Sequence, residues 1–287
     1  MMQMRKIGIL PNARKDDNFT ATKNLVALLK EKGCQPMVSE SVAKNAALLE
    51  CATKEDIIFR DAEFLITLGG DGTMLSAGKR AAKYNTPLLG INLGHLGFLT
   101  DCGPEEMKET VEKVLNGKYK LEKRMMLKAE INSKKDGKKI LIAINEVSIS
   151  RGSMVDVGVY VNDEFIDEFF GDGILVATPT GSTAYNLAAG GPILKSDANM
   201  VAITPICPHM LHARSIVVGA DDVVMLKVNR YTRQRLYAVI DGQSVCNLET
   251  GDYIVISRAE HYTNIIKTGD LGFYDVLREK MFTKGGR

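Results

Sequence analysis

The 287-residue sequence lacks a bias in charge and an apolar run long enough to cross a membrane. Its 37 basic and 35 acidic residues leave a net charge of +2, so no basic field marks a nucleic-acid-binding protein. No stretch approaches the roughly 18 consecutive apolar residues of a membrane span. The sequence therefore predicts neither a nucleic acid nor a membrane as a partner.

The five cysteines do not form a paired set, because they are odd in number and widely scattered. This pattern is typical of reduced thiols and not of a disulfide framework. The first apolar segment ends at Pro11, too soon for a signal peptide. We therefore predict the cytoplasm as the compartment. Cys207, His209 and His212 lie close together, but no second cluster with zinc spacing occurs, so we assign no metal-ligating residue.

The ordinary composition, 45% apolar and 25% charged, together with the length, allows one large domain or two smaller ones. Over the first hundred residues, short apolar runs alternate with stretches of helical periodicity. We predict strands at 6–10, 36–39, 64–68 and 88–92, and helices at 20–32 and 73–84. Such an alternation implies a parallel sheet that binds ligands at the carboxyl ends of its strands. We assign 1–102 to an α/β N-terminal domain.

After a predicted helix at 105–116 the pattern changes to successive strands. Turn pairs such as Asp136-Gly137 and Asn162-Asp163 between them favour antiparallel pairing. We predict a β-rich C-terminal domain over 103–268, with strands at 119–131, 139–150, 155–161, 174–178, 223–228, 236–240 and 253–257. A last helical pattern, within 269–287, carries Leu271, Phe273, Leu277 and Met281 and is expected to return to the first domain and pack against it.

The segment 69–73, Gly-Gly-Asp-Gly-Thr, stands directly between an apolar strand and a helix. Glycines let the backbone approach a bulky anion, and the start of a helix offers free N–H groups, so the segment predicts a phosphate-binding loop. Asp71 is unusual there, because its carboxylate repels phosphate oxygens. It could take a proton from an attacking hydroxyl or hold a divalent cation; the alternative is a turn that caps a helix beginning near Thr73.

Two further segments place polar residues where a ligand would explain them. Asn145 and Glu146 interrupt an apolar strand, and such groups need dedicated partners when they are buried. An edge-strand pair that faces water is the alternative. The segment 178–185, which follows Gly171-Asp-Gly173, carries four hydroxyls in six residues, more than a helix cap requires. This surplus indicates recognition of a sugar or a base, with Tyr185 as a possible stacking surface.

Taken together, these motifs resemble those of the NAD kinase family, in the family's order and from the first predicted strand to the last helix. The motif at 178–185 is the most diagnostic, since diacylglycerol kinases, sphingosine kinases and phosphofructokinases carry loops similar to 69–73. The matching segments are 69–73, 89–98, Asn145-Glu146, Asp172-Gly173, 178–185, 190–192, 204–209 and Asp241-Gly-Gln243.

The resemblance implies transfer of the terminal phosphoryl group of ATP, or of polyphosphate, to the 2′-hydroxyl of the adenosine ribose of NAD. It also implies Mg²⁺ as the divalent cation with ATP, NAD bound between the two domains, and a homodimer or homotetramer. Asp71 corresponds to the general base of a direct transfer. Ala188 stands where many relatives carry serine, which removes one hydrogen bond to the nucleotide. The residues implied to bind substrate or nucleotide are Gly70, Gly72, Thr73, Asn145, Glu146, Asp172, Thr180, Ser182, Thr183, Ala184, Tyr185, Asn186, Ala188, His209 and Gln243.

Two other functions share parts of this pattern. A lipid kinase would carry the glycine loop and a β-rich domain, but it would need an apolar acyl-binding surface in place of the hydroxyl-rich segment 178–185. An inert dinucleotide-binding regulator would gain nothing from the Asp71 carboxylate beside phosphate groups.

Overall fold

A computed structural model describes residues 4–94, 97–231, 236–269 and 272–281. The chain divides into two compact units, each with its own core. The first comprises Met1–Lys123 and Thr263–Arg287, and the second comprises Arg124–Tyr262. Among the helices that the structure describes, none is long and apolar enough to cross a membrane.

The first unit contains a seven-stranded sheet with helices on both faces. Its strands are β1 (Lys6–Pro11), β2 (Gln35–Ser39), β3 (Ala52–Thr53), β4 (Phe64–Gly69), β5 (Leu88–Asn92), β6 (Lys120–Arg124) and β17 (Thr263–Lys267), in the order β3-β2-β1-β4-β5-β17-β6. The helices of this unit are α1 (Thr20–Glu31), α2 (Glu40–Ala46), α3 (Glu55–Asp61), α4 (Asp71–Ala81), α5 (Met107–Leu115) and α7 (Phe273–Met281).

Strand β4 shows why both faces of this sheet are covered. All six of its residues are buried. Ile66 and Leu68 belong to the core that includes α1 and α5, whereas Leu65 belongs to the core on the other face, with α3 and α4. A strand buried on both faces is a nearly continuous apolar run, which is how its position could be predicted from the sequence.

The strand order reverses between β1 and β4, which lie side by side and parallel. At such a reversal the loops after the two strands run to opposite faces of the sheet and leave a crevice at the carboxyl ends. The loop after β1 begins at Asn12, and the loop after β4 is the glycine segment that begins at Gly70. The predicted phosphate-binding loop therefore stands at the reversal point of the sheet.

In the second unit the described residues form a ten-stranded, largely antiparallel sheet and one short α-helix, α6 (Tyr185–Ala188). Eight strands run in the order β12-β11-β10-β9-β13-β16-β7-β8, and β14 and β15 form a hairpin that joins β9. The strands are β7 (Leu127–Ser133), β8 (Gly137–Ala143), β9 (Glu146–Val161), β10 (Glu164–Ala177), β11 (Met200–Ile206), β12 (Ile216–Gly219), β13 (Val224–Tyr231), β14 (Leu236–Ile240), β15 (Gln243–Leu248) and β16 (Tyr253–Arg258).

The predicted α/β and β-rich architecture is confirmed, but the boundary at 102/103 is misplaced. Helix α5 packs in the core of the first unit, and both β6 and β17 complete its sheet, so the division falls after Lys123 and again before Thr263. The predicted run 119–131 is two strands, β6 and β7, and the run 139–150 is β8 and the start of β9. The first break falls at the apolar pair Met125 and Met126, so the pattern did not show it, and the second falls at Asn145, which was expected to interrupt a single strand.

The C-terminal helix α7 belongs to the first unit, as predicted, but none of its residues is buried. Phe273, Leu277 and Met281 are half-buried, and Leu271 lies outside the described residues. The Phe273 ring lies 6.5 Å from that of Phe98, so the helix covers a loop of the first unit and does not enter its core.

The long β9–β10 hairpin carries a carboxyl group that makes the stability of the native state depend on pH. Burial raises the pKa of Asp156 to about 6, and the nearby Glu168 adds to the shift by hydrogen bonding and repulsion, while Arg230 and Asn229 oppose it. The unfolded chain holds this carboxyl near its ordinary pKa of about 3.9. The native state therefore binds the proton more tightly, and its stability falls as the pH rises from about 4 through about 6.

We expect Asp156→Asn to reduce this dependence, because the amide does not ionise. Thermal unfolding from pH 4 to pH 8 checks it: the variant should gain stability relative to the parent as the pH rises. Glu164→Gln, an exposed carboxylate of the same hairpin, is the control and should follow the parent curve. Parallel curves for Asp156→Asn and the parent would contradict the prediction.

Candidate functional site

The glycine loop connects β4 directly to α4. Gly70 occupies the N-cap position, and its carbonyl accepts the backbone N–H groups of Thr73 (2.9 Å) and Met74 (3.1 Å). A β-carbon at Gly69 would collide with the side chain of Thr73 and lie 3.2 Å from the β-carbon of Asn12. The tight turn therefore requires glycine, and it leaves the exposed Gly72 at the first turn of the helix.

Asp71 stands in the first turn of α4, and its carboxylate holds a neighbouring loop. The two oxygens accept the backbone N–H groups of Phe98 (2.9 Å) and Leu99 (3.0 Å). A β-carbon at Gly97 would overlap the carboxylate, so glycine permits this close approach. The alternative in which Asp71 caps the helix is wrong, since Gly70 is the cap and the carboxylate makes its bonds elsewhere.

The loop that carries Phe98 is itself fixed within the first unit. Asn92 accepts the N–H of Gly94 (2.9 Å), and the Thr100 hydroxyl accepts the N–H of Gly97 (2.9 Å). On its outer side the Phe98 ring contacts α7 through Phe273, and the Lys280 ammonium lies 4.8 Å from the ring centre. These contacts fix the direction of the two N–H groups that orient Asp71.

Lys15 is a residue of this region that the sequence patterns did not indicate. Its ammonium lies 3.1 Å from the position that a β-carbon would take at Gly70. Asn12, at the start of the same loop, donates to the Thr73 hydroxyl (3.3 Å), and Asp16, at its end, accepts the backbone N–H of Thr22 (3.0 Å). The loop after β1 therefore places a cation beside the predicted phosphate-binding loop. A single lysine in a polar loop gives no distinctive signal in the sequence.

In the second unit, Asn145 and Glu146 lie where β9 begins. Glu146 is 4% exposed, and β9 is paired on both sides, with β10 and β14, so the alternative of a water-facing edge strand is wrong. The N–H groups of Asn145 (2.8 Å) and Glu146 (3.0 Å) both donate to Asp241 Oδ1. Asp241 is a second residue that was not predicted from the sequence. In the same motif, only Gln243 was predicted to bind substrate.

Alternation along β9 gives this strand two different faces. Val147 and Ile149 enter the main apolar core, so Glu146 and Ser148 lie on the opposite face. Three buried oxygens of this region have no hydrogen-bond partner among the described residues: Asn145 Oδ1, Ser148 Oγ and Thr180 Oγ1. Buried hydroxyl and amide oxygens without a partner each cost about 1–3 kcal/mol, and a polar ligand would offset that cost.

The hydroxyl-rich segment forms a compact turn followed by α6, and most of its hydroxyls are occupied internally. Backbone carbonyls accept the hydroxyls of Thr178, Ser182 and Thr183. The Ser182 hydroxyl donates to backbone carbonyls and accepts the N–H of Leu194 (2.9 Å). Asn186 donates to the carbonyl of Pro192 (2.9 Å) and accepts the Thr204 hydroxyl (2.7 Å). These two predicted nucleotide-binding residues are fully buried and instead fix the shape of the turn.

The remaining predicted residues of the second unit differ in exposure. Tyr185 is 41% exposed, and burial of its hydroxyl, together with the charges of Cys207, Asp172 and Glu146, raises its pKa. The His209 ring lies edge-on to Phe170, 5.8 Å away. The exposed predicted residues are Asp172, Tyr185, Ala188, His209 and Gln243, and the half-buried ones are Thr183 and Ala184.

Comparison with known sequences gives one consistent family. The model of the ATP-NAD kinase N-terminal domain matches residues 7–119, and that of the ATP-NAD kinase C-terminal domain matches 144–268. An NAD kinase of Caldanaerobacter subterraneus subsp. tengcongensis is 43% identical over 282 residues, which cover 97% of this chain and 99% of the relative. The NAD kinase of Acetivibrio thermocellus is 37% identical over 287 residues, with 98% and 99% covered.

Two solved structures share the fold. Yeast NADH kinase complexed with NADH has a TM-score of 0.87 at 24% identity, covering 99% of this chain and 88% of that chain. An NAD kinase from Archaeoglobus fulgidus in complex with ATP has a TM-score of 0.74 at 22% identity, covering 96% and 98%.

The unpartnered hydroxyl of Thr180 predicts an unusual response to substitution. Thr180→Val keeps the side-chain shape and removes an unsatisfied group, so without ligand the melting temperature should stay level or rise by about 2–4 °C. Thr178→Val is the matched control, because the Thr178 hydroxyl donates to Ile144 O (2.6 Å) and accepts the N–H of Gly181 (3.0 Å). The Thr178→Val variant should melt at a lower temperature than the parent. Equal decreases in melting temperature for the two variants, measured by calorimetry, would contradict the prediction.

Proposed function

The chain belongs to the NAD kinase family, and we propose that its two units divide the work of phosphorylating NAD, the first handling the donor phosphates and the second binding the dinucleotide. The observation that carries this proposal is the Asp71 carboxylate, oriented by two backbone N–H groups inside a phosphate-binding loop. The comparisons support neither a lipid kinase nor an inert regulator.

The donor is ATP, and its phosphates bind at the start of α4. Gly70 and Gly72 allow close approach of the backbone, and the helix dipole favours negative charge there. The Lys15 ammonium adds a positive charge on the same side of the loop. It compensates the repulsion between the Asp71 carboxylate and the phosphates.

Asp71 is the general base. A carboxylate offers about four lone-pair sites, and the N–H groups of Phe98 and Leu99 occupy two of them, so about two remain and one of these can accept the 2′-hydroxyl. As the terminal phosphoryl group moves from ATP to the ribose oxygen, the hydroxyl proton passes to Asp71, and ADP leaves. Phosphoryl transfer depends on alignment and on compensation of charge, so the fixed orientation of Asp71 matters as much as its basicity.

Mg²⁺ enters this proposal as part of the donor. Across the described ranges, no group of three or more His, Cys, Asp or Glu side chains is placed to hold a metal ion. Mg²⁺ commonly binds through the phosphate oxygens of a nucleotide and retains several waters, so we treat MgATP as the substrate.

The dinucleotide binds in the second unit through the polar groups that lack internal partners. Asn145 and Thr180 present unpaired oxygens, and Tyr185 presents an exposed ring on which a base can stack. Asp172, with glycine on both sides, is exposed. Ser182 and Asn186 contribute indirectly, by holding the turn in shape.

We also propose self-association and a cytoplasmic location. The ten-stranded sheet ends at β12 and β8, and these edge strands carry exposed apolar residues, Val217 (44%) and Ile140 (66%). Such residues favour pairing of chains as a homodimer or homotetramer, which light scattering would measure. All five cysteines are free thiols, which is the form that a reducing cytoplasm maintains.

The proposed function predicts that purified protein forms NADP from NAD, ATP and Mg²⁺. A coupled assay with an NADP-specific dehydrogenase measures the product, and a reaction without ATP is the control. Phosphorylation of a diacylglycerol or a sphingoid base, with NAD left unchanged, would overturn the proposal.

Replacing the base should abolish most of the turnover. We expect Asp71→Asn to lower kcat by roughly 10²–10⁴, because the amide cannot take the proton. Its NH₂ group would also face one of the two backbone N–H donors, so some stability should be lost as well.

Asp252→Asn is the control for that loss, since its two oxygens likewise accept two backbone N–H groups, those of Lys134 (3.1 Å) and Glu249 (2.8 Å). It should melt lower and keep near-parent kcat. Near-parent turnover by Asp71→Asn would instead exclude the role of base.

A further inference from the structure

Asp241 joins the β14–β15 turn to the segment that carries the polar pair. Its Oδ1 accepts the N–H groups of Asn145 (2.8 Å) and Glu146 (3.0 Å), and its Oδ2 accepts that of Ile144 (3.0 Å). Its own N–H donates to the carbonyl of Glu146 (3.0 Å). Four hydrogen bonds therefore connect one residue to three consecutive residues at the start of β9.

The turn itself does not need this side chain. Asp241 (φ +46°) and Gly242 (φ +76°) are the two central residues of a tight turn with positive φ, which aspartate and glycine adopt readily. The pairing of β14 with β9 ends at Ile240 and Val147. Beyond that pair the N–H groups of the segment have no strand opposite on this side, and the carboxylate of Asp241 accepts them instead.

The other side of the same segment is fixed by the hydroxyl-rich turn. The Thr178 hydroxyl donates to Ile144 O (2.6 Å), and its backbone N–H donates to Asn145 O (2.8 Å). A β-carbon at Gly181 would overlap the backbone of Asn145, so the two chains are in direct contact there. The peptide groups around Asn145 are thus held from both sides, while its side-chain oxygen is buried without a partner.

We propose that Asp241 is a positioning residue for NAD, acting through Asn145 and Glu146 without contacting the dinucleotide. This inference rests on the proposed function, in which these two residues bind NAD. Three N–H groups converge on one carboxylate, and charge-assisted bonds of this kind are stronger than neutral ones. Loss of the carboxylate lets the segment shift, and its side chains then no longer meet the ligand in the required geometry.

The effect should appear in binding and not in the chemical step. Contacts that are equal in the ground state and the transition state change KM and leave kcat nearly constant. We therefore expect Asp241→Asn to raise the Kd and KM for NAD by about tenfold, equivalent to about 1.4 kcal/mol, with kcat and the KM for ATP within about threefold of the parent.

The matched control is Asp252→Asn. Asp252 is 1% exposed and accepts the backbone N–H groups of Glu249 (2.8 Å) and Lys134 (3.1 Å), so it also holds loop backbone of the second unit, but it bonds to neither Asn145 nor Glu146. This variant should lose stability and bind NAD within about twofold of the parent. Asp241→Glu, which keeps the charge but displaces it by one methylene, is the second variant and should also weaken NAD binding. It replaces the asparagine variant in the test if that variant does not fold.

A double-mutant cycle identifies the route of the effect. In an Asn145→Ala background, Asp241→Asn should weaken NAD binding by much less than tenfold, because the group through which it acts is already gone. The same cycle with Asp252→Asn should be additive. Calorimetric titration of each variant with NAD gives the affinities, and a melting curve confirms that each is folded.

An NAD affinity within twofold of the parent for folded Asp241→Asn or Asp241→Glu would overturn the inference. An additive cycle with Asn145→Ala would also overturn it. A loss of NAD affinity in Asp252→Asn as large as that in Asp241→Asn would do the same. Failure of the proposed function is separate: the parent would bind NAD but form no NADP. The affinities of the variants could still be compared in that case.

Discussion

A buried peptide group must find a hydrogen-bond partner, and the arrangement of both sites follows from that requirement. Where a strand runs beyond its neighbour, or a loop crosses the end of a sheet, backbone N–H groups have no carbonyl of a neighbouring strand to bind. In this chain aspartate carboxylates accept them. Asp71 accepts two from the loop after β5, and Asp241 accepts three from the segment before β9. Each interaction fixes backbone next to residues proposed to act on substrate.

The two aspartates differ in what remains available to a ligand. Asp71 lies beside the exposed Gly72 and keeps lone pairs that a hydroxyl can reach. Asp241 directs both oxygens to backbone, so it acts on the ligand through its neighbours. In the proposed function the same side chain therefore serves chemistry in one unit and geometry in the other.

The architecture could be predicted well from the sequence because its strands are strongly patterned. The continuous apolar run of β4 and the alternating run of β7 each identify a strand, and glycine marks the turn at 69–73. Asn145 and Asp71 could be singled out because each breaks its local pattern. Helices α2 and α3, of seven residues each, were missed because two turns give too short a period to detect.

The partners of the site residues could not be predicted, because they are distant in sequence. Asp241 meets the segment 144–146 about a hundred residues away, and nothing in Asp-Gly-Gln distinguishes a turn residue from an anchor. The internal roles of Ser182 and Asn186 depend on Leu194 and Thr204 in the same way. A residue pattern shows which side chains are polar, but not whether backbone or ligand will satisfy them.

The position of β17 has a consequence for the order in which the chain can fold during synthesis. This strand lies between β5 and β6 in the first sheet, yet it is made after the whole of the second unit. The ribosome therefore releases a contiguous second unit that can close its own core while the first sheet still lacks an inner strand. Until residues 263–267 emerge, β5 and β6 have no strand between them, and the two open edges can pair with another nascent chain. The unit that carries Asp71 begins synthesis first and finishes folding last.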